Sequence, residues 1–145
     1  MSRLTETRQA YVRVVQLLDQ EIRKRSGPTK DLEQFRKTLD TAFYLLGWSQ
    51  FEYLVRKEGD VLINDKARAQ TIDRHAWLYL KENLRNVPIR RRLDLIFHAN
   101  QEIRERLAKD YDLRNGVAHN NEPIPKEARN ISAWIEHLDE LVERF

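Results

Sequence analysis

Residues 43–54 read Phe-Tyr-Leu-Leu-Gly-Trp-Ser-Gln-Phe-Glu-Tyr-Leu, from Phe43 to Leu54, and they are apolar or aromatic on most sides of a helix. Strand-like alternation is absent, and a helix lying on a surface would keep a broad polar face. The stretch therefore predicts a central helix contacted by several neighbours or by a second subunit. Upstream, Leu32, Phe35, Leu39 and Ala42 extend the same helix back to a cap at Thr29 or Asp31. Downstream it runs through Val55 to about residue 58, where Gly59 is expected to end it.

Helical patterning continues on both sides of this segment. Tyr11, Val14, Val15, Leu18 and Ile22 lie on one side of a helix over 3–25, and Ser26-Gly27-Pro28 stops it because proline cannot continue the hydrogen-bond ladder. Residues 60–76 predict a loop with some helix. Trp77, Leu78, Leu80 and Leu84 predict a short helix that breaks near Asn86-Val87-Pro88. Pro88 suits the first turn of the next one, where Ile89, Leu93, Ile96, Phe97, Ile103 and Leu107 predict a single long helix to about Tyr111. Ile131, Trp134, Ile135, Leu138, Leu141, Val142 and Phe145 mark a closing helix. Four or five helices with short connections and no internal repeat predict an all-α, up-and-down bundle, a single domain over residues 1–145.

Composition agrees with this and removes whole classes of chemistry. The chain of 145 residues is 41% hydrophobic and 34% charged, with a mean hydropathy of -0.73, which describes a charged surface around a real core. Only 4 Gly and 4 Pro argue against a fold built from many tight turns. Zero Cys excludes a disulfide framework, a thiolate metal site and a thiol nucleophile. The start MSRLTETRQAYV lacks the apolar stretch of a signal peptide, and no run is long enough to span a membrane, so a soluble, cytoplasmic protein is expected. A net charge of +3, from 26 Lys+Arg against 23 Asp+Glu, is too weak a field to indicate a nucleic-acid partner by itself.

His75, His98, His119 and His137 include no pair at the spacing that sets two imidazoles on one helical face, so no metal and no other cofactor is expected. Serine-hydrolase and phosphate-loop signatures are also missing. The compact group with unusual chemistry is Leu113-Arg114-Asn115-Gly116-Val117-Ala118-His119-Asn120. Arg114 offers a planar fork of donors for a phosphate, and His119 can move a proton near neutral pH. These are the two functions that metal-free RNA cleavage needs: one group handles a proton, the other neutralises charge growing on the phosphorane. On a regular helix, however, the two side chains diverge by about 140°. An irregular turn at Gly116 or a second copy across a dimer axis would bring an Arg and a His together. The structural alternative is that both only cap carbonyls or favour the helix dipole.

The segment Arg114-Asn115-Gly116-Val117-Ala118-His119 resembles the signature of the HEPN superfamily, an Arg followed a few residues later by His, with Asn commonly placed directly after the Arg. Trp48-Ser49-Gln50-Phe51-Glu52-Tyr53-Leu54 is similar to an aromatic, small, Phe-Glu stretch in the second helix of several of its families. The resemblance implies a helical bundle that dimerises so that two motifs line one cleft, acting as a metal-independent endoribonuclease in a toxin–antitoxin or anti-phage defence system. It gives Arg114 the scissile phosphate, His119 the role of general acid or base, and Asn115 the orientation of the phosphate or of Arg114. Glu52 would fix Arg114 by a charge-assisted pair. The partners implied are RNA, a second copy and an antitoxin protein, with no membrane. Where nucleotidyltransferase-paired members carry a modified Tyr two residues after the His, this chain has Asn121, so silencing by a binding antitoxin or fusion partner is the expectation. The alternative function is a non-catalytic HEPN-like binding module that pairs with a nucleotidyltransferase or another protein.

Lys81, Arg85, Arg90, Arg91 and Arg92 are candidate RNA contacts outside the motif. Adjacent arginines differ by about 100° on a helix, so the run wraps around the helix instead of forming a flat stripe. Trp48, Trp77 and Trp134 read as core or interface residues more simply than as base-stacking platforms.

Overall fold

Ser2 opens the first helix in the computed structural model, which describes residues 1–145. Its hydroxyl accepts from Thr5 N–H at 3.0 Å and donates to the Asp139 carboxylate at 2.8 Å, so one side chain caps a helix and ties the N-terminus to the C-terminal segment. Six α-helices follow in order: α1 (Arg3–Lys24), α2 (Lys30–Arg68), α3 (Arg74–Glu82), α4 (Ile89–Ile96), α5 (Gln101–Asn120) and α6 (Ile131–Val142), with short 3-10 turns at Leu84–Asn86 and Lys126–Ala128. No residue lies in a strand. The helix count exceeds the four or five expected, for a local reason given below. No helix is long and apolar enough to cross a membrane.

Two compact units are distinguished within the chain: Met1–Phe51 with Leu113–Arg144, and Glu52–Asp112 with Phe145. Both α2 and α5 contribute residues to each. In the first unit α1 packs on α6, and Tyr44, Trp48 and Trp134 cluster, with ring centroids 5.8 Å apart for Tyr44–Trp134 and 5.7 Å for Trp48–Trp134. Leu4, Ile131, Ile135 and Leu138 are fully buried around them. Gly47 belongs to the closest approach of α2 and α6, since a Cβ there would stand 3.3 Å from Ile135 Cγ1. Trp48 and Trp134 are thus core residues. The Tyr11 hydroxyl donates to Asp40 at 2.7 Å, and burial, reinforced by that carboxylate, pushes the phenol up to about 12.

The second unit contains the larger departures from expectation. Gly59 does not end α2, which continues unbroken to Arg68. A Cβ at 59 would meet Arg92 Cγ at 3.1 Å and Arg92 Cβ at 3.2 Å, so this glycine serves close packing inside a helix. Residues expected to be a loop beyond 60 instead supply the buried Ile63 and Ala67. The single helix expected over 89–111 is two, α4 and α5, separated by a turn at 97–100. Phe97 N–H still reaches Leu93 O at 2.9 Å, but Asn100 then starts a new helix, its side chain accepting from Ile103 N–H at 3.0 Å. Phe97 packs edge-on against Phe145 at 5.8 Å, which keeps the turn apolar inside and hides the break from a periodicity count.

Candidate functional site

Arg114, Asn115, Gly116 and His119 all lie within the last two turns of α5, which is regular through Asn120. Leu107 and Val117 are buried on this helix, whereas Ala118, His119 and Asn120 are exposed. Asn121 ends it in the left-handed region at φ 54, a conformation Asn tolerates better than most residues, and Glu122 N–H closes the end on Gly116 O at 3.2 Å. The motif is therefore presented at a finished helix terminus. Arg114 is half-buried and its Nη1 donates to Asn115 Oδ1 at 2.9 Å, so Asn115 fixes the guanidinium it follows.

A regular helix closes one of the two geometric routes. Gly116 makes no irregular turn, so Arg114 and His119 leave α5 about 140° apart and one chain does not bring them onto one face. What Gly116 does provide is room. A Cβ there would overlap Glu122 Oε2 and approach Glu122 Cδ to 2.7 Å, which means that the Glu122 carboxylate is folded over the glycine. His119 lies three positions after Gly116, so the two share a face and Glu122 brings a negative charge to it. Sequence reasoning did not single out Glu122. The signal available was the pairing of a Gly in the last turns of the helix with an Asn two residues beyond His119, which marks a chain reversal over the helix end.

The remaining sequence candidates fall in different settings. Glu52 is buried on α2, in the second unit. Lys81 in α3, Arg85 in the following turn, and Arg90 and Arg91 in α4 are exposed. Arg92 is not a surface contact, which corrects its assignment to RNA: it is 6% exposed, ion-pairs with Asp60, and donates to the carbonyls of Arg56, Val87 and Leu84 at 3.0, 3.2 and 2.7 Å. Its guanidinium staples α2 to the entry of α4. Arg90 reaches Asp112 and Arg91 reaches Asp94, each at 3.3 Å, in exposed pairs that contribute little to stability. Arg104, absent from the sequence candidates, stands beside these two in a cavity of about 340 Å³ that Leu93, Asp94 and Ala108 also line. No group of three or more His, Asp or Glu side chains gathers to hold a metal ion.

No protein-family model matches the chain, and neither the curated proteins nor the solved structures yield a match.

Proposed function

We propose that this chain is a metal-independent endoribonuclease of HEPN type that works as a homodimer, a toxin or anti-phage defence component held in check by a partner protein. The observation that carries the reading is Arg114-Asn115-Gly116-Val117-Ala118-His119 on a regular, well-ended helix, with His119 exposed and Arg114 oriented by Asn115. Because the two side chains diverge along α5, the reading requires Arg114 of one protomer and His119 of the other to face a shared cleft. Arg114 binds the scissile phosphate there and neutralises the charge that grows on it. The ribose 2′-oxygen forms its bond to phosphorus as the bond to the 5′-oxygen breaks. A base takes the 2′-OH proton and an acid delivers one to the departing 5′-oxygen; His119 fills one of these roles and water the other. The products are a 2′,3′-cyclic phosphate and a 5′-hydroxyl, with no oxidant or metal in the balance.

The test is cleavage of single-stranded RNA in EDTA by the purified chain, with 2′,3′-cyclic phosphate ends as the product. His119→Ala and Arg114→Ala are each expected to lower the rate by about a thousandfold while leaving the helical spectrum and melting temperature intact. Undiminished cutting by both variants would show that another activity is being measured. A wild type that neither cuts RNA nor harms cells more than His119→Ala does would point to the binding-module alternative.

A further inference from the structure

We infer that the hairpin of α1 and α2 is a self-association surface, on which a second copy of the chain packs end over end to complete a four-helix bundle. From Val12 to Phe43 no residue is buried, although this stretch holds the second half of α1 and the first half of α2. Apolar side chains line a groove of about 490 Å³ between the two helices, among them Val14, Leu17, Leu18, Phe35 and Leu39. Leu17 is 47% exposed and Phe35 55%. A pair of helices buries one seam between them, and helices in proteins take most of their stability from packing against further elements. An apolar groove left open on such a hairpin marks an interaction site.

The pattern around the groove identifies the occupant. On α1, Arg13, Leu17 and Glu21 stand four positions apart along one face, a basic, an apolar and an acidic residue in line. Read from the opposite direction the line pairs with itself: in an antiparallel copy with a two-fold axis at Leu17, Leu17 meets Leu17 and each Arg13 meets a Glu21. Both charges are free to make that pair. Arg13 is exposed with no carboxylate partner in its own chain, and Glu21 has only an exposed contact with Lys24 at 3.8 Å. α2 repeats the symmetry at the same height. The Arg36–Asp19 ion pair at 2.6 Å and the Tyr11–Phe43 ring contact at 5.3 Å run the two helices antiparallel, in a register that sets Leu17 level with Thr38. An axis at that level passes between Thr38 and Leu39 and brings the exposed Phe35 over Ala42 of the second copy, a large side chain onto a small one. One axis thus satisfies both helices, which a partner of unrelated sequence gives no reason to expect.

The hairpin shares no residue with the Arg114–His119 motif, and its pairing stands whether or not the chain cleaves RNA. Sedimentation equilibrium of the full chain at micromolar concentration, without RNA, reads the mass of the assembly, so failure here is distinct from failure of cleavage. Leu17→Glu should halve that mass and leave the helical spectrum unchanged. Arg13→Glu and Glu21→Arg should each weaken association by about tenfold, and the two together should restore it to within about threefold of wild type, because the double variant rebuilds the pairs with their signs exchanged. The two residues are eight positions apart on α1, too far for a pair within one helix, so rescue reports contact between copies. The chain has no cysteine, so Leu17→Cys introduces a single thiol at the axis and should cross-link to a dimer on mild oxidation. Arg23→Cys, about 120° around the helix from Leu17, should not. A wild type that stays monomeric would leave the groove to a different protein and overturn the inference. So would a mass unaltered by Leu17→Glu, or a double variant that associates no better than the single ones.

Discussion

The first turn of α4 and the last turns of α5 both present arginines, yet the two regions use them in opposite ways. In α4 three consecutive arginines meet two environments: Arg90 and Arg91 lie in exposed pairs with Asp112 and Asp94, while Arg92 turns inward to Asp60 and three carbonyls. In the last two turns of α5 a single arginine, Arg114, is half-buried, tethered to its neighbour Asn115, and followed by an exposed histidine. A fully satisfied, buried guanidinium is a structural element with nothing left to offer a ligand. Under the proposed function the half-buried one at a helix end is the group that takes the phosphate. The difference lies in what surrounds each arginine, since the side chains are the same.

The sharpest way to break this contrast is to remove the staple. Arg92→Ala removes the donor that ties three backbone carbonyls and Asp60 together and opens space beside Gly59, so it should cost about 3 kcal/mol in a denaturant titration. The same change at Arg91, whose side chain is 76% exposed, should stay within about 0.5 kcal/mol. Equal losses at the two positions would remove the distinction between them.

Two glycines probe the same contrast at smaller amplitude. Gly59→Ala gains helix propensity but drives a Cβ into the Arg92 stem, which cannot retreat because its head is held at both α2 and the Leu84–Asn86 turn; a net loss of about 1 kcal/mol is expected. Gly116→Ala meets only the end of the exposed Glu122 side chain, which can swing away. Propensity then wins, and a gain of up to about 1 kcal/mol should raise the melting temperature. Opposite signs for two Gly→Ala changes on regular helices would show that the neighbour's freedom to move decides the outcome.

These residues also show what a sequence discloses. The central helix, the one-faced α1, the short α3 and the closing α6 follow from apolar spacing, because each buries a stripe that recurs every three or four residues. Gly59 and 97–100 were misread for contrary reasons. The glycine looks like a stop, but its partner Arg92 is 33 positions away and invisible to a local pattern. The break between α4 and α5 is masked by Phe97 and Ile103, which keep the periodicity across it, although Asn100 carried a capping signal. At the candidate site the motif was legible, but its place inside a helix was not: the helix expected to end near Tyr111 continues through the motif to Asn120. The burial of Arg92, the arrival of Arg104 beside Arg90 and Arg91, and the return of Glu122 over Gly116 depend on tertiary placement, which three identical letters in a row cannot express.

The central claim, that Arg114 and His119 act together from two different chains, is tested most directly by mixing inactive subunits. Arg114→Ala and His119→Ala protomers, each silent alone, are unfolded, combined and refolded, and RNA cleavage in EDTA is measured. A shared cleft predicts that mixed dimers rebuild one intact site, restoring about a quarter of wild-type activity at equal mixing. A mixture as inactive as its components would contradict the account.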